Sequence, residues 1–104
     1  MPLAIAMSET RTSGSEVALA LTGELDLASC GPLQTRLTQL AAAGVMVRLD
    51  LSRLEFIDSS GVHLLVDACL AARRDGWRFE VEPELGDQVR RVVELVGIAR
   101  VLWP

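Results

Sequence analysis

The chain has 104 residues and carries 10 Lys and Arg against 14 Asp and Glu, a formal charge of -4. That length closes one domain, residues 1–104, and a composition 50% apolar and 23% charged excludes a disordered chain. The acidic balance argues against direct nucleic-acid binding, which needs a positive field to displace counterions from phosphates.

The stretch Met1 to Met7 alternates weakly and reads as an edge strand, and the polar run from Ser8 to Ser15 reads as the turn after it. From Glu16 to Thr22, Val17, Leu19 and Leu21 share one side at period two, opposite the small Ala18 and Ala20. Gly23 is expected to end this strand. Asp26 or Ser29 stands ready to cap a helix with apolar positions Leu33, Leu37, Leu40 and Ala41, closed by Gly44.

Val45 to Leu51 alternates again and predicts a second strand, so strand, helix and strand form a right-handed unit with parallel strands as the default. In the connection from Ser52 to Ser60, Phe56 and Ile57 are expected to tuck inward. Beyond Gly61, Val62, Leu65, Val66 and Cys69 form a helical stripe opposed by His63, Asp67 and Arg74, and Gly76 stops the helix. Trp77, Phe79 and Val81 alternate in a further strand that Pro83 should end. The last predicted helix starts near Glu84 or Asp87 and buries Leu85, Val89, Val92, Val93 and Val96. The tail from Ile98 to Trp103 is left as a short strand or a segment lying against the sheet.

Several chemistries lack their residues. Glycines sit one per junction instead of clustering between a strand and a helix, so no nucleotide cradle is expected. A lone histidine and two distant cysteines do not make a zinc site, and neither a metal nor another cofactor is expected. His63 follows Ser60 by three positions, but the segment lacks the glycine of a nucleophile elbow, and a solvent-facing first-turn histidine is the plainer account of it. No catalytic residue is assigned. Cys69 belongs to the apolar stripe. Cys30 stands near a helix start, where a thiol can become reactive, although a small helix residue is the simpler reading. Two cysteines are too few to staple a small secreted domain, no export signal stands at Met1 to Glu9, and no apolar window reaches the ~18 residues of a membrane span. A cytoplasmic chain with no membrane span is expected.

The most informative segment is Asp58, Ser59, Ser60 and Gly61, where a loop enters a helix. The first helical N–H groups lack internal partners and favour an anion, and Ser60 as the cap would offer its hydroxyl at the helix mouth. A phosphoryl ester there adds roughly 1.5 to 2 negative charges, which the helix can accept without refolding. A plain capping role for Ser59 and Ser60 explains the same four residues.

A wider pattern bears on that choice. The runs GELDLAS (23–29), VMVRLDLSRLEFIDSSGVHLLV (45–66) and RRVVELVGI (90–98), in this order, resemble the STAS domain, and most closely the bacterial anti-sigma factor antagonists. The resemblance covers almost the whole chain. It implies an α/β fold, a mixed sheet of four or five strands with helices mainly on one side. It also implies a protein without enzymatic activity that binds an anti-sigma factor which is also a serine kinase, is switched off by phosphorylation, and is restored by a serine phosphatase. Residue by residue, Ser60 matches the phosphoacceptor, and Asp58, Ser59 and Gly61 complete its loop. Gly23, Glu24 and Asp26 match a turn that contributes to the partner surface, to which Ser29 and His63 are added by position. His63 stands where the family often has a small residue, and is expected to alter kinase fit or add pH sensitivity. Relatives that serve as constitutive STAS subunits of transport or signalling assemblies are the alternative. Both loops, 23–29 and 52–60, should leave the carboxyl ends of parallel strands and open on the same end of the domain.

Overall fold

The computed structural model describes residues 5–104, so the Met1 to Ala4 part of the expected first strand lies outside the described residues. The elements run β1 (Ile5–Ser13), β2 (Glu16–Leu25), α1 (Cys30–Ala42), β3 (Met46–Leu51), β4 (Leu54–Ile57), α2 (Ser59–Asp75), β5 (Phe79–Leu85), α3 (Asp87–Val96) and α4 (Ala99–Leu102). The sheet is ordered β1-β2-β3-β5, with β4 paired to β2. β1 is antiparallel to β2, and the other pairings are parallel, as the β2-α1-β3 crossover requires.

Alternation decides which side of the sheet is covered. Val17, Leu19 and Leu21 of β2, Val47, Leu49 and Leu51 of β3, and Val81 of β5 are buried beneath the helices. They meet Leu33, Leu37 and Leu40 of α1 and Leu65 and Cys69 of α2 in one core. On the strands' opposite side, Arg48 pairs with Glu16 at 2.5 Å and lies within 3.6 Å of both Glu80 and Glu82. One face is therefore the core and the other is polar, the mixed sheet with helices on one side.

Several local expectations are corrected. β1 continues through the polar residues to Ser13, because antiparallel pairing with β2 as far as Ser13 opposite Glu16 holds an otherwise exposed edge strand. β2 does not end at Gly23. Gly23 takes φ +92°, in the region where a side chain is strained, and the strand shifts register there and runs on to Leu25. The first half of β2 pairs with β3 and the second half with β4, so these two short strands follow one another along one edge of β2. The register shift also breaks the alternation of β4. Leu54 and Ile57 turn inward, whereas Phe56, expected in the interior, is 38% exposed.

Pro83 does not end β5. It lies opposite a register irregularity on an edge strand, where no ladder N–H is required of it. This keeps Leu85 in the strand and starts α3 at Asp87. α3 buries only Val89 and Val93, leaving Val92 half-buried and Val96 exposed, because the helix packs on a single side, against β4. The tail forms the short helix α4, and the Trp103 indole N–H donates to the Val81 carbonyl at 2.7 Å, so it lies against β5.

Candidate functional site

The site is built where β2 and β4, parallel neighbours, deliver their following loops to the same end of the sheet. The β2–α1 loop is closed on itself. Asp26 Oδ1 accepts the Ser29 N–H at 3.0 Å, Ser29 Oγ accepts the Asp26 N–H at 2.9 Å, and the Ser29 hydroxyl donates to the Glu24 carbonyl at 2.7 Å. Ser29 is consequently only 5% exposed. It shapes the loop from within, which corrects its expected place on the partner surface. The reciprocal pair uses both residues offered by the sequence as alternative caps of α1. The same closure turns Leu27 outward at 79% exposure, with Glu24 exposed and Asp26 half-buried beside it.

The second loop is tied to the first by one carboxylate. Asp58, not Ser60, is the N-cap of α2: its Oδ1 accepts the Gly61 N–H at 3.1 Å, and its carbonyl accepts the Val62 N–H at 3.0 Å. Its other oxygen, Oδ2, accepts the Leu27 N–H at 3.2 Å across the gap between the loops. Ser59 and Ser60 therefore occupy the first two helical positions, whose N–H groups a helix leaves without internal acceptors. Ser59 is exposed and Ser60 half-buried. Gly61 is fixed by close approach, since a Cβ there would lie 2.6 Å from Ile57 Cγ1 and 2.7 Å from the Leu25 carbonyl oxygen. No side chain other than hydrogen leaves the helix start this near β2.

Ser60 and exposed His63 line a groove of about 710 Å³ between α1 and α2, with Cys30 and Gln34 on the α1 wall. Cys30 is not an activated thiol. Burial pushes its pKa up, and the nearby Asp58 and Asp26 carboxylates push it further. Burial likewise raises the Cys69 thiol. Among the described residues, no three His, Cys, Asp or Glu side chains are grouped to hold a metal ion, and no helix is long and apolar enough to cross a membrane.

The family model described as "Mlab, STAS domain" matches residues 8–103. The chain belongs to the STAS domain family. This STAS domain is 21% identical over 94 residues to the anti-sigma-B factor antagonist of Bacillus subtilis (strain 168), covering 90% of this chain and 85% of that one. Its fold is shared by an anti-sigma factor antagonist from Mycobacterium paratuberculosis, with a TM-score of 0.73, 22% identity and coverage of 95% and 83% of the two chains. It is shared too by the antagonist SpoIIAA in its unphosphorylated form, at a TM-score of 0.76, 23% identity and coverage of 91% and 84%.

The STAS domain thus brings Glu24, Asp26, Asp58, Ser59, Ser60, Gly61 and His63 to one end of the sheet, with Gly23 at the bend of β2 that feeds it. Leu27 is not among the candidates the sequence pattern offers, although a large apolar side chain between Asp26 and Ser29 was the signal for it. Gln88, 31 positions beyond Ile57 in the chain, is likewise absent from those candidates, and its side chain reaches the site's supporting strand.

Proposed function

We propose that this STAS domain is an anti-sigma factor antagonist that docks on a serine-kinase anti-sigma factor and is released when the kinase phosphorylates Ser60. A serine phosphatase resets the cycle, and the domain acts by binding. The observation that carries this reading is the double acceptance by Asp58, which joins the Leu27 loop and the start of α2 into one rigid surface with Ser60 on it.

The chemistry follows from the position. The Ser60 hydroxyl attacks the γ-phosphorus of ATP on the kinase, the bond to the β-bridging oxygen breaks, and ADP leaves while the kinase takes the hydroxyl proton. The ester gains roughly 1.5 to 2 negative charges at the second helical position, where the outward N–H groups and the helix dipole accept them without refolding. Glu24, Asp26 and Asp58 already make this end acidic, so an added phosphate meets like charge on its own surface and imposes repulsion or a desolvation cost on any acidic or apolar partner group packed over Ser60. An added phosphate changes both the field and the shape that a partner meets. His63, three residues beyond Ser60 and lining the same groove, is expected to alter the fit of the kinase.

Incubation with the cognate kinase and ATP, followed by phosphopeptide mapping, tests the assignment. Label is expected on Ser60, and label on Ser59 alone would overturn it. Binding should survive Ser60→Ala and weaken in Ser60→Asp. Unchanged binding of Ser60→Asp would instead favour a constitutive STAS subunit of a transport or signalling assembly.

A further inference from the structure

We infer that Gln88 of α3 is the positioning residue of the Ser60 loop, a role that rests on the function proposed above. β4 pairs with β2 on one edge only. The Asp58 N–H reaches back to the Leu25 carbonyl on β2 at 3.2 Å, so the N–H and C=O of Ile57, one residue earlier, point to the opposite edge. A further strand would have to satisfy them there. β5 stops at Leu85, level with Leu51 of β3, and the chain turns into α3 beside β4.

Gln88 fills that place. The Ile57 N–H donates to Gln88 Oε1 at 2.9 Å, and Gln88 Nε2 donates to the Ile57 carbonyl at 3.1 Å. One carboxamide thereby reproduces the pairing that a neighbouring peptide would offer. Its placement is set by Gly86, whose N–H donates to the Leu51 carbonyl at 3.3 Å and where a Cβ would come within 2.2 Å of the Leu54 carbonyl oxygen. From Ile57 the connection to the serine is short. Its side chain closes on Gly61, and the next residue is Asp58, which caps α2 and holds Leu27. Only glutamine has a donor and an acceptor at this reach; methionine has similar length and neither, and glutamate at neutral pH keeps the acceptor alone.

Gln88→Met tests the role in two independent ways. In the free protein, the Ile57 amide should exchange with solvent at least tenfold faster, and the amide signals of Asp58 to Gly61 should shift while those of Leu19 and Leu49 stay in place. With the cognate kinase, kcat for phosphorylation of Ser60 should fall about tenfold with KM within twofold, since small misplacement of a reacting group slows the chemical step. Unchanged signals from Asp58 to Gly61 in a folded variant would overturn the inference. So would a rise in KM at constant kcat, which would mean that Gln88 touches the partner itself. If Gln88→Met does not fold, Gln88→Glu, which loses only the donor, is read by the same two measurements. Should the kinase leave the unaltered protein unlabelled at Ser60, the functional reading falls, and the exchange and signal measurements alone still decide whether Gln88 holds the loop.

Discussion

Asp58 divides its two carboxylate oxygens between two segments of chain, and this makes it the residue on which the end of the sheet depends. Loss of an N-cap costs about 1 kcal/mol, and loss of a further hydrogen bond to backbone a similar amount. Asp58→Ala should therefore lower unfolding stability by about 2 kcal/mol in urea titrations. Asp58→Asn, with a single acceptor oxygen, should fall between that variant and the unaltered protein. The same carboxylate helps hold the Cys30 thiol protonated, after burial itself. Alkylation of Cys30 by iodoacetamide near pH 8 should be slower than that of cysteine in the unfolded chain, and Asp58→Asn should accelerate it. An alkylation rate above that of the unfolded chain would show an activated thiol and contradict the electrostatic account of this site.

Among elements, the closest approach is that of α2 to β2 and β4 at Gly61. Gly61→Ala must displace Ile57 or the Leu25 carbonyl and should cost about 1–3 kcal/mol, as overpacking does. Gly31, in the first turn of α1, has open space around its missing Cβ, and Gly31→Ala should stabilise by roughly 0.5 kcal/mol through helix propensity. Calorimetry on the two variants should thus give shifts of opposite sign. A second link between elements joins β1 to α1, where the Arg36 guanidinium meets Glu9 through two bonds of 2.6 and 2.7 Å. The hydrogen bond from Arg36 holds the Glu9 carboxyl below its ordinary range. A carboxyl depressed in the folded state stabilises above its unfolded pKa, about 4.3, and loses that contribution as pH falls through the folded value. The stability difference between the unaltered protein and Glu9→Gln should be present at pH 6 and be lost as pH falls through the folded-state value of Glu9. Both partners are partly solvent-exposed, so the difference should be small and weaken further in salt.

At the scale of the molecule, most of the architecture was legible because one covered sheet face imposes a clean alternation on β2 and β3, and the leucines of α1 and the stripe of α2 recur at helical spacing. β4 was not legible. Four residues with a bulge carry no period, and they form a strand only because β2 extends beyond β3 and offers its edge. Pro83 misled for a related reason, since its meaning as a breaker depends on whether the strand is an edge, which local pattern does not contain. That the segments entering α1 and α2 share one end of the sheet followed from parallel topology, although residues 54–57, expected within a loop, form β4 beside β2. That Asp58 is the tie between those segments, that Ser29 turns inward, and that Gln88 supports the adjoining strand all depend on side-chain contacts between distant segments, which spacing along the chain cannot encode.

A phosphate on Ser60 at the start of α2 is expected to dislodge a docked partner. The dissociation constant of the cognate kinase-type anti-sigma factor for this protein, unmodified and stoichiometrically phosphorylated on Ser60, reads that effect at one ionic strength. The phosphorylated form should bind at least about tenfold more weakly, or about 1.4 kcal/mol. Equal affinity of the two forms would contradict it.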